Sequence, residues 1–273
     1  MLGGLLDFHF MQNAYAAGTL VALLAGAAGY FVVLRGQSFA AHMLSQVGFP
    51  GAAAAVLLGV SPVLGLIAFC AIAALGLSWI GRDVEPGDRV ESAAVGTILA
   101  FSLGLGLLFF RLYAGSSQAM YAFLFGSILG IADRDVQVTL LVAVAALGVL
   151  AWTGRPLVFA SVDPDVAEAR GVPVRALSLG FLLVLAMSVA VTVQIVGTLL
   201  IFALLVAPGA AALQLTARPA LGLAVSVILA VAVTWSGLAL AYFVELPAGF
   251  LVTSLAFATF VAARGLRRVR AWA

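Results

Sequence analysis

Three polar side chains, Ser38, His42 and Gln46, stand four residues apart in the stretch from Arg35 to Gly51, where titratable and polar groups interrupt long apolar sequence. On an α-helix this spacing places all three along one face, about a turn apart. A hydroxyl, an imidazole and an amide in file make that face a candidate lining of a transport path. The competing reading of His42 is a histidine hydrogen-bonded within a helical bundle or lying near a membrane interface. Ionisable groups inside spans usually serve a function, whereas those at boundaries do not. Gln194 and Thr198 are also one turn apart, near Pro208, and are a weaker candidate lining. Interhelical hydrogen bonding is their alternative role. His9 with Asp7 could make a surface metal contact, but two such residues near a free end carry little meaning.

The elements that must hold these residues are membrane helices. The chain has 273 residues, is 64% hydrophobic and only 9% charged. Its mean hydropathy of +1.22 lies well above what a soluble core requires. Apolar runs of about 20 residues, long enough to cross a bilayer as helix, recur along nearly the whole chain and leave no room for a separate soluble domain. Within lipid a helix satisfies its own backbone over such lengths, and the alternating pattern of barrel strands is absent, so the expected fold is all-α. The opening residues lack a cationic segment and a small-residue cleavage site, so no removable signal peptide is expected. Cys70 is the single cysteine; it cannot form an intrachain disulfide, and its apolar surroundings suit a packing residue. The charge of +2 and pI near 9.0 come from arginines at span ends, which a membrane protein explains better than nucleic-acid binding does.

Apolar runs bounded by charge or Pro/Gly predict spans at 11–34, 39–60, 62–81, 92–112, 136–153, 176–196, 198–214, 220–242 and 248–263. Eight or ten remain allowed, because 113–135 contains a short apolar run that suits a re-entrant or interfacial helix better than a crossing. The chain has no lysine. A cytoplasmic C-terminus puts eleven arginines inside and only Arg111 and Arg134 outside, with Arg264, Arg267, Arg268 and Arg270 as the clearest anchor. Glu245 beside Pro247 is expected to cap a turn at the outer surface, and residues 82–91 read as an ordinary solvated loop around Pro86-Gly87.

Residues 155–175 are different. Asp163 can cap a helix with Pro164 in its first position, Asp165 and Glu168 follow, and Gly171 with Pro173 stops it. These signals predict a helix of about seven residues outside the membrane. It is either a docking element for a partner or a plain connecting helix.

Several segments together resemble the integral-membrane permease of metal-type ABC importers, the family that carries zinc or manganese into bacteria. They are the Arg35–Gly51 stretch, Glu91–Gly96, Leu124–Gly130, Phe159–Pro173 with its Asp163-Pro164 and Gly171, and Gln194–Ala210 with Gly197 and Pro208. The resemblance covers essentially the full chain. It implies a multi-pass protein of the bacterial inner membrane in which residues 161–173 are the coupling helix of a single transmembrane domain. Asp163, Pro164, Asp165, Glu168 and Gly171 would then contact a separate ATP-binding subunit. A second permease copy, giving a homodimer, and an extracytoplasmic metal-binding protein are the other implied partners. The chain would be no enzyme itself, since no phosphate-cradling G-x-x-x-x-G-K-[ST] loop is present and ATP belongs to the partner. Gly96, Gly104, Gly106, Gly197 and Gly209 could allow close helix contact and bending in such a bundle.

The family usually carries Asp-x-x-x-His where this sequence has His42 and Gln46, and there the two side chains contact the metal in transit. The spacing survives while the carboxylate is lost. Neutral imidazole is a good ligand for Zn²⁺, whereas an amide oxygen suits harder cations. Two copies could recover a two-imidazole site on their axis. No resident cofactor is expected; Zn²⁺ or Mn²⁺ is the substrate. Loss of the Asp/His pair keeps open an importer of a metal chelate or cobalamin-like ligand. An intramembrane enzyme using His42 with Ser38 or Ser45 is remote, because no HExxH or GxSxG motif and no nearby carboxylate accompany them.

Overall fold

The computed structural model describes residues 8–80, 89–113, 126, 130–244 and 246–272. Among these, ten α-helices and no strands occur. In chain order they are α1 (His9–Leu34), α2 (Ser38–Leu57), α3 (Pro62–Ile80), α4 (Arg89–Leu112), α5 (Asp133–Val162), α6 (Pro164–Ala169), α7 (Val174–Val196), α8 (Thr198–Leu215), α9 (Pro219–Phe243) and α10 (Ala248–Trp272). Eight of them are long and apolar enough to cross a membrane, and α8 contributes a shorter apolar run, Leu200–Leu215. The chain is therefore a polytopic helical bundle of about nine spans. The loop at 81–88, Glu245 and most of 113–135 lie outside the described residues, as does Asp7.

Why the helices start where they do is visible in their first residues. Pro62, Pro164 and Pro219 occupy opening positions, where the missing N–H costs nothing because it would have no partner in the helix. Pro50, Pro156 and Pro208 instead lie inside α2, α5 and α8. There the ring withholds one i→i−4 hydrogen bond, so the carbonyl of Gln46 loses its usual partner in α2.

Helices α1, α2 and α7 form the buried centre, whereas α3, α4, α5, α9 and α10 surround them. Small residues decide this sorting. The run Gly26-Ala-Ala-Gly29 brings α1 against α8 and α9, and Gly51 of α2 meets Gly65 of α3 backbone to backbone. A Cβ built on Gly29 would lie 1.9 Å from the Leu205 carbonyl oxygen, so only hydrogen fits there. Ser226 of α9 donates to the Gly26 carbonyl at 2.7 Å and closes the α1–α9 seam. On the surrounding helices the large residues point outward: Trp79 is 69% exposed and Trp152 84%. Such faces suit lipid rather than water. Cys70 is fully buried, its thiol against the Leu44 carbonyl at 3.5 Å, as expected of a packing residue.

The glycine expectations divide. Gly106 lies under the Phe49 ring and Gly209 against Gly29, but Gly96 and Gly104 have nothing within 4 Å. Among the described residues those two bring no neighbouring helix close. Gly197 serves a third purpose. It joins α7 to α8 with φ +85°, a conformation that a Cβ would strain.

Candidate functional site

Ser38, His42 and Gln46 share one face of the first nine residues of α2, and burial deepens along it. Ser38 and His42 are half-buried, and Gln46 is only 8% exposed. The His42 ring meets the Phe202 ring of α8 edge-on at 4.7 Å between centroids. Phe202 is one turn beyond Thr198, which is fully buried at the start of the same helix. The walls of this candidate path are thus α2 and α8, each of which carries an internal proline.

The polar atoms here are not consumed by the bundle. His42 Nδ1 is buried and has no hydrogen-bond partner among the described residues. The Gln46 side chain likewise makes no hydrogen bond among them. Leaving a buried polar atom unpaired costs about 1–3 kcal/mol, so His42 Nδ1 is placed to meet an occupant from outside the fold. Ser45 does not serve His42 as a catalytic partner. Its hydroxyl is fully buried and donates to the His42 main-chain carbonyl at 2.6 Å, turned from the imidazole. Among the described residues no three His, Cys, Asp or Glu side chains gather into a metal-holding cluster.

Gln194 makes an interhelical hydrogen bond. Its Nε2 donates to Asp135 Oδ1 at 2.7 Å, joining the end of α7 to the first turn of α5. Asp135 Oδ2 accepts from the Ala132 main-chain N–H at 3.2 Å, so the same carboxylate also caps α5. Beside it, Asn13 of α1 donates to Asp133 Oδ1 at 2.7 Å and to the Ile131 carbonyl at 3.2 Å. His9 Nε2 lies 3.6 Å from Asp133 Oδ1. These contacts tie α1, α5 and α7 together at one end of the bundle. Gly126, at φ +78°, presses against the Val196–Gly197 junction, where a Cβ would stand 2.4 Å from the Val196 carbonyl. Asp133 and Asp135 escaped the sequence reading. The only signal for them is a pair of carboxylates in a helix's first turn, which ordinary helix electrostatics already explains.

At the opposite end α6 packs between the end of α5 and the start of α7. Asp163 Oδ1 accepts from the Val166 N–H at 3.0 Å, Pro164 stands at the first position, and Gly171 leaves the helix at φ +81°. Asp165 and Glu168 are exposed, while Ala167 is fully buried and roots the helix in the bundle. Replacing Asp163 by alanine is expected to cost α6 about 1 kcal/mol of capping. Hydrogen exchange at Val166 and Ala167 should quicken several-fold while the spans stay protected.

Close to α6 lies a further group the sequence reading passed over. The Arg35 guanidinium donates from Nη1 to Ser161 Oγ at 3.2 Å and from Nη2 to Ser178 Oγ at 2.6 Å. Its Nε points to Gln37 Oε1 at 3.4 Å, and its carbon lies 5.6 Å from the centroid of the Phe181 ring. Burial pushes its pKa below the ordinary arginine value.

Known proteins are similar to this chain in sequence and fold. The ABC 3 transport family matches residues 7–266. The manganese import system permease protein ScaB of Streptococcus parasanguinis is 34% identical over 212 residues, 77% of this chain and 74% of its own length. The manganese transport system membrane protein MntC of Halalkalibacterium halodurans is 30% identical over 215 residues, covering 78% of this chain and 72% of that one. Among solved structures, PsaBC from Streptococcus pneumoniae in complex with Fab superposes with a TM-score of 0.85 at 29% identity, over 96% of this chain and 93% of that chain. A family match running from the residues before α1 into the last two turns of α10 reaches every helix, and with it this chain belongs to the ABC 3 transport family, as a transport permease and not an enzyme.

Proposed function

We propose that this chain is the membrane permease of an ATP-driven importer of divalent transition metal, with manganese as its principal ion. The observation that carries the reading is the polar face of α2, where buried His42 Nδ1 and the Gln46 amide have no hydrogen-bond partner among the described residues. The names of ScaB and MntC support manganese. So does ligand chemistry: an amide oxygen and the carbonyl released by Pro50 are oxygen donors that suit Mn²⁺ better than the softer Zn²⁺. A chelate or cobalamin-like ligand has less support, since neither relative is named for one. On this reading Ser38, His42, Gln46 and Thr198 line the route, and Gln194 stabilises one end of it through Asp135.

The rest of the machine follows from the same reading. The whole of 1–273 is one transmembrane domain in the inner membrane, with its arginine-rich C-terminus in the cytoplasm. Two copies form a homodimer around the path, with the two His42 side chains near its axis. A separate subunit binds ATP and docks on the capped helix presented by Asp163, Pro164, Asp165, Glu168 and Gly171, and an extracytoplasmic protein delivers the ion. Closure of the ATP-binding subunits draws the docking helices together and switches access across the bundle.

The test is uptake of labelled Mn²⁺ and Zn²⁺ by cells expressing the permease with its ATP-binding and metal-binding partners. Mn²⁺ uptake that depends on ATP, and is only weakly competed by Zn²⁺, is expected. Uptake of neither ion removes the metal reading. Introducing the family's usual pair with His42→Asp and Gln46→His is expected to tighten binding of both ions, because a carboxylate with an imidazole is a stronger site for either than an imidazole with an amide, and to be read as a lower concentration for half-maximal uptake.

A further inference from the structure

We propose that Arg35 is the strut through which movement of α6 reaches the path helix α2. The proposal rests on α6 being the docking helix for the ATP-binding subunit. Three segments meet at this one guanidinium. Ser161 stands two residues before the Asp163 cap of α6, and Ser178 lies in the first turns of α7, just beyond α6. Gln37 is the residue immediately before α2, and His42 follows five residues later.

Geometry makes the link stiff. The guanidinium is planar, with its donors in a fixed fork, so Nη1, Nη2 and Nε cannot follow their acceptors independently. Phe181 covers one face of the plane, and Ser161 is itself held by donating to the Leu157 carbonyl. A displacement that carries the ends of α5 and α7 with α6 therefore pulls on the corner between α1 and α2. That corner can move, because α1 and α2 touch little and Gly36 between them, at φ +68°, has open space around it. Among the described residues Arg35 has no carboxylate partner, only two serines and an amide. A cation held by neutral hydroxyls can exchange partners during a conformational change without breaking a buried ion pair, which would cost several kcal/mol.

The experiment uses the complete complex with its ATP-binding and metal-binding partners in vesicles. ATP hydrolysis, labelled Mn²⁺ uptake and copurification of the ATP-binding subunit are measured together. The variants are Arg35→Gln, Arg35→Lys and the pair Ser161→Ala with Ser178→Ala. Copurification is expected to match wild type and ATP hydrolysis to continue, with a modest fall in thermal stability, while ions moved per ATP fall about tenfold in Arg35→Gln and in the double serine variant. Arg35→Lys should fall between, since a lysine can reach one acceptor but not span the fork. If Arg35→Gln fails to fold, the double serine variant still decides, because it keeps the cation and removes only the acceptors. An unchanged ratio of ions to ATP in that variant overturns the proposal, as does a loss of uptake that runs in step with lost assembly or stability. Failure of the docking reading looks different: the ATP-binding subunit would still copurify after residues 163–171 are deleted.

Discussion

Replacing both His42 and Gln46 by leucine is expected to give a more stable permease that no longer transports. The two effects have opposite signs for one reason. His42 Nδ1 is buried, and neither it nor the Gln46 amide has a hydrogen-bond partner among the described residues. Removing such groups relieves a desolvation cost of about 1–3 kcal/mol, and leucine fills similar space. The same groups are the ones a passing ion would meet. Losing two contacts to a charged species, each worth about 1.5 kcal/mol, is about a hundredfold in rate when every 1.4 kcal/mol counts tenfold. Thermal unfolding of the purified complex and labelled Mn²⁺ uptake in vesicles measure both sides. A structural histidine would behave otherwise, with stability and uptake falling together. Uptake that survives the double substitution would remove α2 from the path.

On the proposed reading activity at this face is held at the expense of stability, and the same cost made the α2 face legible in the sequence. Polar groups at i, i+4 and i+8 within apolar sequence are costly unless used, and helical periodicity alone places them on one side. The spans were legible for a related reason: hydropathy, Pro62 and Pro219 at helix starts, and arginines at the ends all encode local choices. The capped helix α6 is the same kind of local message, written in Asp163-Pro164 and Gly171.

Pairings across the chain were not legible. Gln194 finds Asp135 59 residues away, and Arg35 finds Ser161 and Ser178 at separations of 126 and 143. Nothing near Phe202 announces that its ring will meet His42, because the contact exists only once α8 crosses α2. Glycine was the most ambiguous letter. Gly104 and Gly209 both stand within apolar helices, yet one looks into open space and the other touches Gly29. In a helix apolar on every side, the sequence does not mark which face meets lipid and which meets protein.

That ambiguity yields the second large effect, at the crossing of α1 and α8. Gly29→Ala is expected to destabilise the permease by about 3 kcal/mol, at the upper end of what overpacking costs, because the added methyl has only backbone to displace. Its Cβ would fall 1.9 Å from the Leu205 carbonyl oxygen and 2.8 Å from the carbonyl carbon. No rotamer relieves a clash between Cβ and main chain, so α8 must move away from α1. Gly209 is in the same contact from the other side, 2.7 Å from the Gly29 oxygen, and Gly209→Ala should be nearly as harmful. Phe202 rides on α8 one turn before Leu205 and Val206, so any variant that still assembles should also lose the His42–Phe202 contact and with it uptake. Gly104→Ala is the matched control: it has nothing within 4 Å, and replacing helical glycine with alanine should add up to about 1 kcal/mol. Unfolding temperatures of the three purified variants settle the comparison. Equal shifts for Gly29→Ala and Gly104→Ala would mean that α1 and α8 do not cross at Gly29, and the wall of the path formed by α8 would have to be redrawn.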